Sequence, residues 1–543
     1  MKRIGIFLLA LSVAAPLSAQ RYDVGGSVID MNGITALDMF NYSQTSHNFG
    51  TARSMAMGGA LTSLGGDMAS MSINPAGLGM YRTNEITFTP MVGVAKASTD
   101  AASYDSNSST RFSVPNFGFM FKAYEGTGKV LAVNIGFGYN RIADFNYNSS
   151  FYRTGNQSTI AGVFARQLQN SGMGSADFYD SSDRFDWYRI DPAYWGAALG
   201  YKVGLINDDK GSWAPDYFGN NPSVGQYTSL ESRGAIGEYA LSAGMNIDNK
   251  LYIGLTLGIQ DLYQRRKMYY GEDYAYAEGD HAAGREVQYF NYNQTAIANG
   301  TGVNLKFGIT YRPIEGLRIG VAVHTPTWYQ VDFSYQAAMV SRVLDNSTGQ
   351  YISPDPDGVT ERWDDDGAYS WNFRTPTRLL LGASYTFGQM AIISVDYERD
   401  WYNGIRTGST PVGDGVYDDF FKENFKGSNT IRVGAEIKPV PFLSVRAGYG
   451  YNGSMVRDNK TIFSSPVTYN TQYASGGLGF AITPFMYVDL AYQYVMQKQT
   501  PYKLFYSLDT VGNGDGSYND DYSGTYSTKY DRHNIVLTVG FRF

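Results

Sequence analysis

Cysteine is absent from the 543-residue chain, and charged residues are scarce. Without thiols the protein has no disulfide, no thiolate metal site and no lipidated cysteine anchor. Only 17% of the residues are charged, whereas roughly 25% is usual. The 43 Lys and Arg are outnumbered by 50 Asp and Glu, giving a formal charge of −7, which argues against nucleic acid as a partner. Because 15% of the residues are aromatic, general disorder is excluded, and β structure with one apolar face is favoured.

Long apolar runs are missing everywhere except at the N-terminus. Lys2 and Arg3 precede an apolar stretch over residues 4–15, and Leu17-Ser18-Ala19 has the small residues of a cleavage site. This pattern predicts a secretory signal peptide over residues 1–19 rather than a buried N-terminal helix. No later run approaches the roughly 20 apolar residues of a spanning helix. The mature protein is therefore expected to be exported and to enter a membrane only as strands.

Apolar residues alternate with small or polar residues along most of the mature chain. In segment 251–260, Leu and Ile fill every odd position, while Tyr, Gly, Thr, Gly and Gln fill the even ones. Segments 129–140 and 303–312 repeat this pattern. One apolar face and one small or polar face is expected of strands in a transmembrane barrel. A soluble sandwich also alternates, but its strands are usually shorter and its turns more even.

The connections between strands are of two kinds. Six are short turns, at residues 126–128, 248–249, 313–315, 387–389, 439–441 and 483–484. Seven are long and polar, at residues 98–110, 144–234, 266–300, 337–371, 404–428, 456–471 and 499–532. Short turns at one end and long extracellular loops at the other are typical of outer-membrane barrels. The predicted fold is all-β, with an N-terminal extension and hatch over 20–83 and a 14-stranded antiparallel barrel over 84–543, whose longest loop is 144–234.

Two segments inside that longest loop differ from their surroundings. Segment 193–206 resembles a fifteenth strand, but bacterial single-chain barrels have even strand numbers. We therefore place it in the loop, as a lid element or a short inward piece. Segment 158–169 carries Ile160, Val163, Phe164 and Leu168 at helical spacing, which predicts an amphipathic helix.

The chain ends in an alternating strand whose apolar positions run from Ile535 to Phe543. A closing strand with a terminal Phe resembles the assembly signal of outer-membrane barrels. An ordinary edge strand of this kind would leave a long apolar edge exposed. We therefore predict a multi-pass protein of the bacterial outer membrane, with the barrel assembly machinery, the lipid bilayer and lipopolysaccharide as partners.

Residues 45–90 differ in composition from the strands, because they are rich in Gly, Ala, Met and Ser and alternate little. Close packing against the inside of a barrel wall favours such small side chains. Gly58-Gly59-Ala60 is followed by Gly65-Gly66-Asp67 and then by Asn74-Pro75-Ala76-Gly77-Leu78. In this order, behind a signal peptide and ahead of fourteen strands, the segment resembles the hatch of the FadL family of outer-membrane transporters for hydrophobic compounds. The resemblance covers the hatch closely and the barrel by architecture, but not the long loops.

This resemblance implies a hatch that plugs the lumen and a ligand route that ends in the wall. An apolar ligand is captured among the extracellular loops, enters a lumenal pocket above the hatch, and leaves through an opening made by an inward kink in the third strand. By position, Asn74, Pro75 and Ala76 are the functional hatch residues, and the third strand is about 130–147. A sideways exit suits an apolar solute, since each buried methylene is worth about 0.8 kcal/mol.

Three residues near the third strand are candidates for the lateral opening. Gly136 and Gly138 lie two apart on the predicted inward face, where missing side chains allow a bend or a close approach. Pro115 in the preceding strand cannot donate a ladder hydrogen bond, so pairing should be interrupted nearby. An equally open alternative is that the inward glycines simply make room for the hatch.

Charged residues are also predicted on the inward face. Arg378 and Arg446 are the preferred candidates for holding the carboxylate of a fatty acid. The alternative is a lumenal salt-bridge network that braces barrel and hatch. The other inward charges are Lys306, Arg318, Asp396, Glu398, Arg432, Glu436 and Arg542.

Catalytic and metal sites are not indicated by the sequence. Four histidines occur singly without metal-ligand spacing, and no serine lies in a nucleophile elbow. The histidines are His47, His281, His324 and His533. We therefore predict no enzymatic activity, no metal and no cofactor.

These features predict a monomer that moves hydrophobic compounds, foremost long-chain fatty acids, inward by passive diffusion. One alternative is a non-transporting barrel of the same fold that anchors or shuttles secreted proteins. Another is a haem-uptake receptor, which would suit two histidines in the outer loops, whereas only His281 lies clearly in one. A porin for polar solutes is least favoured, because the hatch should block an open pore.

Overall fold

The computed structural model describes residues 33–543 apart from 45–48, 100–103, 106, 157–158, 216–222, 280, 282–283, 353–356, 362–369, 458–462, 464–466 and 506–524. The predicted signal peptide and His47 therefore lie outside the described residues.

Short helices precede the barrel. They are α1 (Ala36–Tyr42), α2 (Ala52–Ala56), α3 (Ser70–Ile73) and a 3-10 helix (Pro75–Met80). Thr35 and Asp38 form a capping box at α1, and the Thr51 hydroxyl accepts the Ser54 N–H at α2. These caps satisfy amide groups that short helices leave free at their first turn.

Fourteen wall strands follow. They are β1 (Glu85–Thr99), β2 (Ser108–Glu125), β3 (Val130–Asp144, continued by Tyr147–Asn156), β4 (Ser223–Ile247), β5 (Leu251–Ala275), β6 (Arg285–Tyr311), β7 (Leu317–His324, continued by Trp328–Asp345), β8 (Ser370–Arg374, continued by Arg378–Phe387), β9 (Ala391–Trp401, continued by Arg406–Thr407), β10 (Gly427–Val440), β11 (Leu443–Asn452), β12 (Thr468–Thr483), β13 (Met486–Gln499) and β14 (Thr528–Arg542). Each strand pairs antiparallel with the next, and β14 pairs with β1 from Glu85↔Arg542 to Thr99↔Thr528. The prediction of a closed 14-stranded barrel is confirmed.

The outer face of the wall carries an apolar band. On β5 the outward Leu255, Leu257 and Ile259 are 53%, 37% and 44% exposed, while the inward Thr256 is buried. Such exposure is stable only in contact with lipid. Since short turns mark the periplasmic end and long loops the extracellular end, the protein is a β-barrel of the bacterial outer membrane. Among the described residues, no helix is both long and apolar enough to cross a membrane.

Three of the predicted long loops have wrong boundaries, because wall strands extend into them. β3 and β4 extend into the loop predicted at 144–234, β5 and β6 into 266–300, and β7 into 337–371. The apolar alternation stops where the strands leave the membrane, for example at Arg265 and Lys267. Backbone pairing does not depend on apolar side chains, so the ladders continue beyond that point.

Helices fill the extracellular half of the lumen. They are α4 (Ile160–Ser171), α5 (Trp195–Lys202) and α6 (Asp418–Asn424), and a short hairpin of Ile206–Asp209 and Ser212–Pro215 follows α5. The predicted helix at 158–169 is confirmed by α4, and segment 193–206 contains α5 rather than a wall strand. We call α1, α4, α5, α6 and the hairpin the cap, and residues 49–80 the hatch.

Candidate transport route

Asn74 is buried at the start of the 3-10 helix and ties the hatch to the wall. Its Nδ2 donates to the Thr62 carbonyl at 2.6 Å and to Thr310 Oγ1 on β6 at 3.3 Å. Its Oδ1 accepts the Ala76 N–H at 3.1 Å. Pro75, at the first helical position, has no N–H that needs a partner. Asn74 therefore fixes the start of the 3-10 helix and also the level of this part of the hatch in the barrel.

Inward glycines of the wall surround the hatch. A Cβ atom added to Gly136 would lie 2.8 Å from Leu78, and one added to Gly254 would overlap the Pro75 and Ala76 backbone. At each of the following positions an added Cβ would come within 3.0 Å of a hatch atom: Gly118, Gly136, Gly138, Gly244, Gly254, Gly308, Gly320, Gly382, Gly434, Gly448 and Gly477. We call this set the glycine belt. It brings the wall backbone against the hatch on ten of the fourteen strands.

Gly136 and Gly138 belong to this belt, and both lie in an unbroken part of the ladder. Gly136 pairs with Met120 on one side and Ser242 on the other. Gly138 is likewise paired on both sides. The geometry therefore favours the second interpretation of these glycines, which is that they make room for the hatch.

β3 leaves its neighbour β2 beyond Asn140. The last pair between these strands is Asn116↔Asn140, immediately after Pro115. Pairing of β3 with β4 continues past a register shift between Arg141 and Ala143 and resumes with residues 147–156. Above Asn140 the wall thus has a break between β2 and β3, and Pro115 lies beside it.

Beyond the break, aromatic side chains on the continuation of β3 reach into the lumen. The Tyr147 ring lies 5.0 Å from that of Tyr530, and the Phe151 ring lies 4.6 Å from that of Tyr526. Tyr530, on β14, is a buried inward residue. The continuation of β3 thus places these rings in the lumen, while its backbone pairs with β4 and, at Phe151 and Tyr152, with Asp105 and Tyr104.

An ion pair lies at this break. Arg532 Nη1 lies 2.8 Å from Asp144 Oδ1, and its Nη2 donates to the carbonyls of Asp144 and Asn146 at 3.0 and 3.3 Å. Arg141 Nη1 contacts the other Asp144 oxygen at 2.6 Å. Asp144 and Arg532 line both a lumenal cavity of about 100 Å³ and a smaller cavity in the break that also touches Ser113. The ion pair therefore separates the lumen from the break.

Arg378 is one of the two predicted carboxylate ligands. Its Nε lies 2.8 Å from Glu398 and 3.1 Å from Asp400, both buried. Glu398 also contacts Arg432. Two carboxylates thus already face the Arg378 guanidinium.

Arg446, the other predicted ligand, has similar surroundings. Its Nε contacts Glu436 at 2.6 Å and its Nη1 contacts Asp489 at 2.6 Å. Glu436 also lies 3.3 Å from Arg53 of the hatch. This geometry favours the alternative of a salt-bridge network that braces barrel and hatch.

α1 covers the lumen above the hatch. Asp38 forms an ion pair with Arg266 of β5 at 2.7 Å, and the Tyr42 hydroxyl donates to Gln264 at 2.9 Å. Burial, and secondly the Asp38 carboxylate, raise the pKa of the Tyr42 phenol well above its ordinary value. The phenol therefore stays neutral and keeps its proton for Gln264.

Three of the four histidines lie in the described part of the chain, and each has different contacts. His324 is buried, with Nε2 2.9 Å from the Ile73 carbonyl of the hatch. His281 contacts Glu286 at 3.0 Å, and His533 contacts Tyr492 on the outer wall at 2.7 Å. Within the described residues there is no group of three or more His, Asp or Glu that could hold a metal ion.

No protein-family model and no curated protein matches the chain. Several solved structures are similar. The toluene transporter TodX of Pseudomonas putida has a TM-score of 0.48 and 11% identity, over 92% of this chain and 100% of that one. The monoaromatic hydrocarbon channel CymD has a TM-score of 0.47 and 12% identity, over 91% and 97%. A FadL homologue of Pseudomonas aeruginosa has a TM-score of 0.49 and 13% identity, over 92% and 99%. Each of these likenesses extends over nearly the whole length of this chain.

Proposed function

We propose that the protein carries hydrophobic compounds, long-chain fatty acids foremost, inward across the outer membrane by passive diffusion. The observation that supports this is the break between β2 and β3 above Asn140, next to a lumenal cavity. A solute that enters from the cap side would reach lipid through the break without crossing the hatch. Passing directly into lipid, it would keep its methylenes away from water at about 0.8 kcal/mol each.

The hatch is expected to stay in place during passage. It is bound to the wall by directional hydrogen bonds such as those of Asn74, and the glycine belt leaves little space for another backbone position. An axial pore would require both sets of contacts to be broken. Sideways exit requires much less rearrangement.

The Asp144–Arg532 contact is expected to open when ligand passes. The lumenal cavity of about 100 Å³ is smaller than the roughly 300–1,000 Å³ of ordinary ligand pockets. A fatty acid therefore needs the kinked part of β3, or the Arg532 side chain, to move. No energy source is required, since uptake follows the concentration gradient.

Blocking the break tests the proposal. Because the chain has no cysteine, Ser113→Cys places a single thiol at the cavity in the break. Methanethiosulfonate reagents of increasing size should progressively reduce uptake of labelled oleate, and reduction of the mixed disulfide should restore it. The control is Ser444→Cys, which is also buried but lies near the periplasmic turn that follows β10.

Uptake that stays at the unmodified rate with the largest reagent would contradict the lateral route. Labelled toluene is measured in parallel, because the similar Pseudomonas putida structure is named as a toluene transporter. If the reagents inhibit uptake of toluene but not of oleate, the lateral route stands and aromatic hydrocarbons replace fatty acids as the proposed ligands. If cells with and without the protein take up both labels equally, the anchoring or shuttling alternative replaces transport.

A further inference from the structure

Three lysines lie close together on the outer wall at the extracellular ends of β13, β14 and β1. Lys498 of β13 pairs directly with Lys529 of β14. Lys96 of β1 pairs with Asp531, two residues from Lys529 on the same face. All three lysines are exposed. They therefore form one patch on three adjacent strands, and we call it the lysine patch.

The charge of this patch is not balanced within the described chain. Asp531 is its one carboxylate, 3.1 Å from the Lys529 ammonium. Among the described residues, neither Lys96 nor Lys498 has a carboxylate within 4.0 Å. Like charges directly opposite one another on neighbouring strands destabilise a sheet. A bound anion would remove this repulsion.

The position of the lysine patch indicates which kind of anion it binds. Toward the membrane centre lie Tyr492, Tyr494 and His533, with the two tyrosine rings 6.2 and 5.0 Å from the histidine ring. Aromatic residues at this height form the girdle at the membrane surface. The lysine patch is further toward the extracellular end, at the level of the outer-leaflet headgroups.

A cavity next to the patch provides space for more than a single ion. Its volume is about 660 Å³, and Tyr469, Met496 and Pro501 line it together with Lys498 and Lys529. The Lys498 ammonium lies 5.9 Å from the centre of the Tyr469 ring. A small inorganic anion would leave most of this space and its apolar lining empty.

We propose that Lys96, Lys498 and Lys529 form a binding site for the phosphate-bearing headgroup of an outer-leaflet glycolipid. Neighbouring strands are about 4.8 Å apart, so three strands spread the cations over a width greater than one phosphate. Each lysine near a headgroup contributes attraction to an anionic lipid surface. None of the three lysines lines the lumenal cavity or the cavity in the break, so failure of this site would leave the proposed function unchanged.

Native mass spectrometry of the full-length barrel in non-ionic detergent tests this site with diphosphoryl lipid A as the probe. The wild-type protein should retain lipid A, and the triple variant Lys96→Gln, Lys498→Gln, Lys529→Gln should bind it about tenfold or more weakly. The triple Lys→Arg variant should retain binding. The matched control removes three lysines of the periplasmic end, Lys122, Lys129 and Lys250, and should bind as the wild type does.

Heat-modifiable mobility on gels verifies that every variant is folded. Equal retention of lipid A by the Gln variant and the wild type would overturn the proposal. The proposal would also be overturned if the wild-type protein bound dephosphorylated lipid A as tightly as diphosphoryl lipid A, because packing of the acyl chains would then be sufficient for binding. Displacement of lipid A by millimolar inorganic phosphate would assign the patch to free anions instead. Retention in the presence of phosphate supports the lipid site.

Discussion

The hatch and the cap both fill the lumen, yet they are held by different interactions. The hatch is tied by directional hydrogen bonds: Ala52 N–H to Thr538 at 2.7 Å, Thr62 N–H to Asp396 at 2.8 Å, and Asn134 to the Leu78 carbonyl at 2.6 Å.

The cap is held by aromatic packing in addition to polar contacts such as the Asp38–Arg266 ion pair. The Phe40 ring stacks on Phe425 at 4.3 Å, and the rings of Phe164 and Tyr292 meet edge to face at 6.2 Å. Hydrogen bonds between buried groups allow one geometry and are costly to break, whereas hydrophobic contact is not directional. The comparison indicates that the hatch is a fixed floor, while the cap can rearrange around an apolar ligand.

The largest effect is expected from filling the space at the glycine belt. Gly254→Leu places a side chain where the Pro75 and Ala76 backbone lies, and overpacking of a tight interior costs about 1–3 kcal/mol or more. We expect a hatch that proteases reach and a lower melting temperature in detergent. Gly128→Leu is the control, because nothing lies within 4 Å of an added Cβ there. Equal stability of the two variants would show that the hatch is not held sterically.

A smaller effect is expected from Asn74→Ala, which removes the bonds to Thr62, Thr310 and Ala76 without adding bulk. Leaving buried polar groups unpaired costs about 1–3 kcal/mol. Oleate uptake should fall while the amount of folded barrel stays the same. Asn299→Ala, at an exposed position of β6, is the control. Uptake at the wild-type rate would remove Asn74 from the proposed role.

The smallest effect on the barrel is expected from Phe164→Ala in the cap. The ring is fully buried, and its loss costs about 3–5 kcal/mol within a core, but only the cap should loosen. Limited proteolysis of the connection between β3 and β4 should accelerate while the barrel melting temperature is unchanged. Tyr188→Ala, whose side chain is 94% exposed, is the control and should alter neither readout. A fall in barrel stability equal to that of Gly254→Leu would remove the distinction between cap and hatch.

The strand number was predictable from alternation at period two taken together with the seven long loops, because lipid contact requires apolar residues at every second position. Alternation alone would have added segment 193–206 as a fifteenth strand. Strand ends were not predictable in the same way. On β5 the ladder runs to Ala275, well past Arg265, since backbone hydrogen bonds continue where the lipid stops. The sequence pattern therefore marks the membrane boundary rather than the end of the strand.

The site was predictable in part. Asn74 could be chosen from its place in the hatch, and Pro115 from its missing amide hydrogen. The Asp144–Arg532 pair joins residues 388 positions apart, and nothing local marks either one. The sequence analysis did not identify the glycine belt as one structural feature, although inward glycines such as Gly254 and Gly308 recur on successive strands. Aligning the predicted strands by their level in the barrel, instead of reading each strand alone, would have revealed the glycine belt.

Thr538 links the hatch to the time order of barrel assembly. Its hydroxyl accepts the Ala52 N–H at 2.7 Å and lies 2.8 Å from the Thr89 hydroxyl of β1. The hatch is the first of these parts to be synthesised and β14 the last, so the final strand joins β1 at a position that also touches the hatch. Closure of the seam brings Thr538 to both Thr89 and Ala52, so a barrel that closed over an unseated hatch would leave the Thr538 hydroxyl without its Ala52 donor.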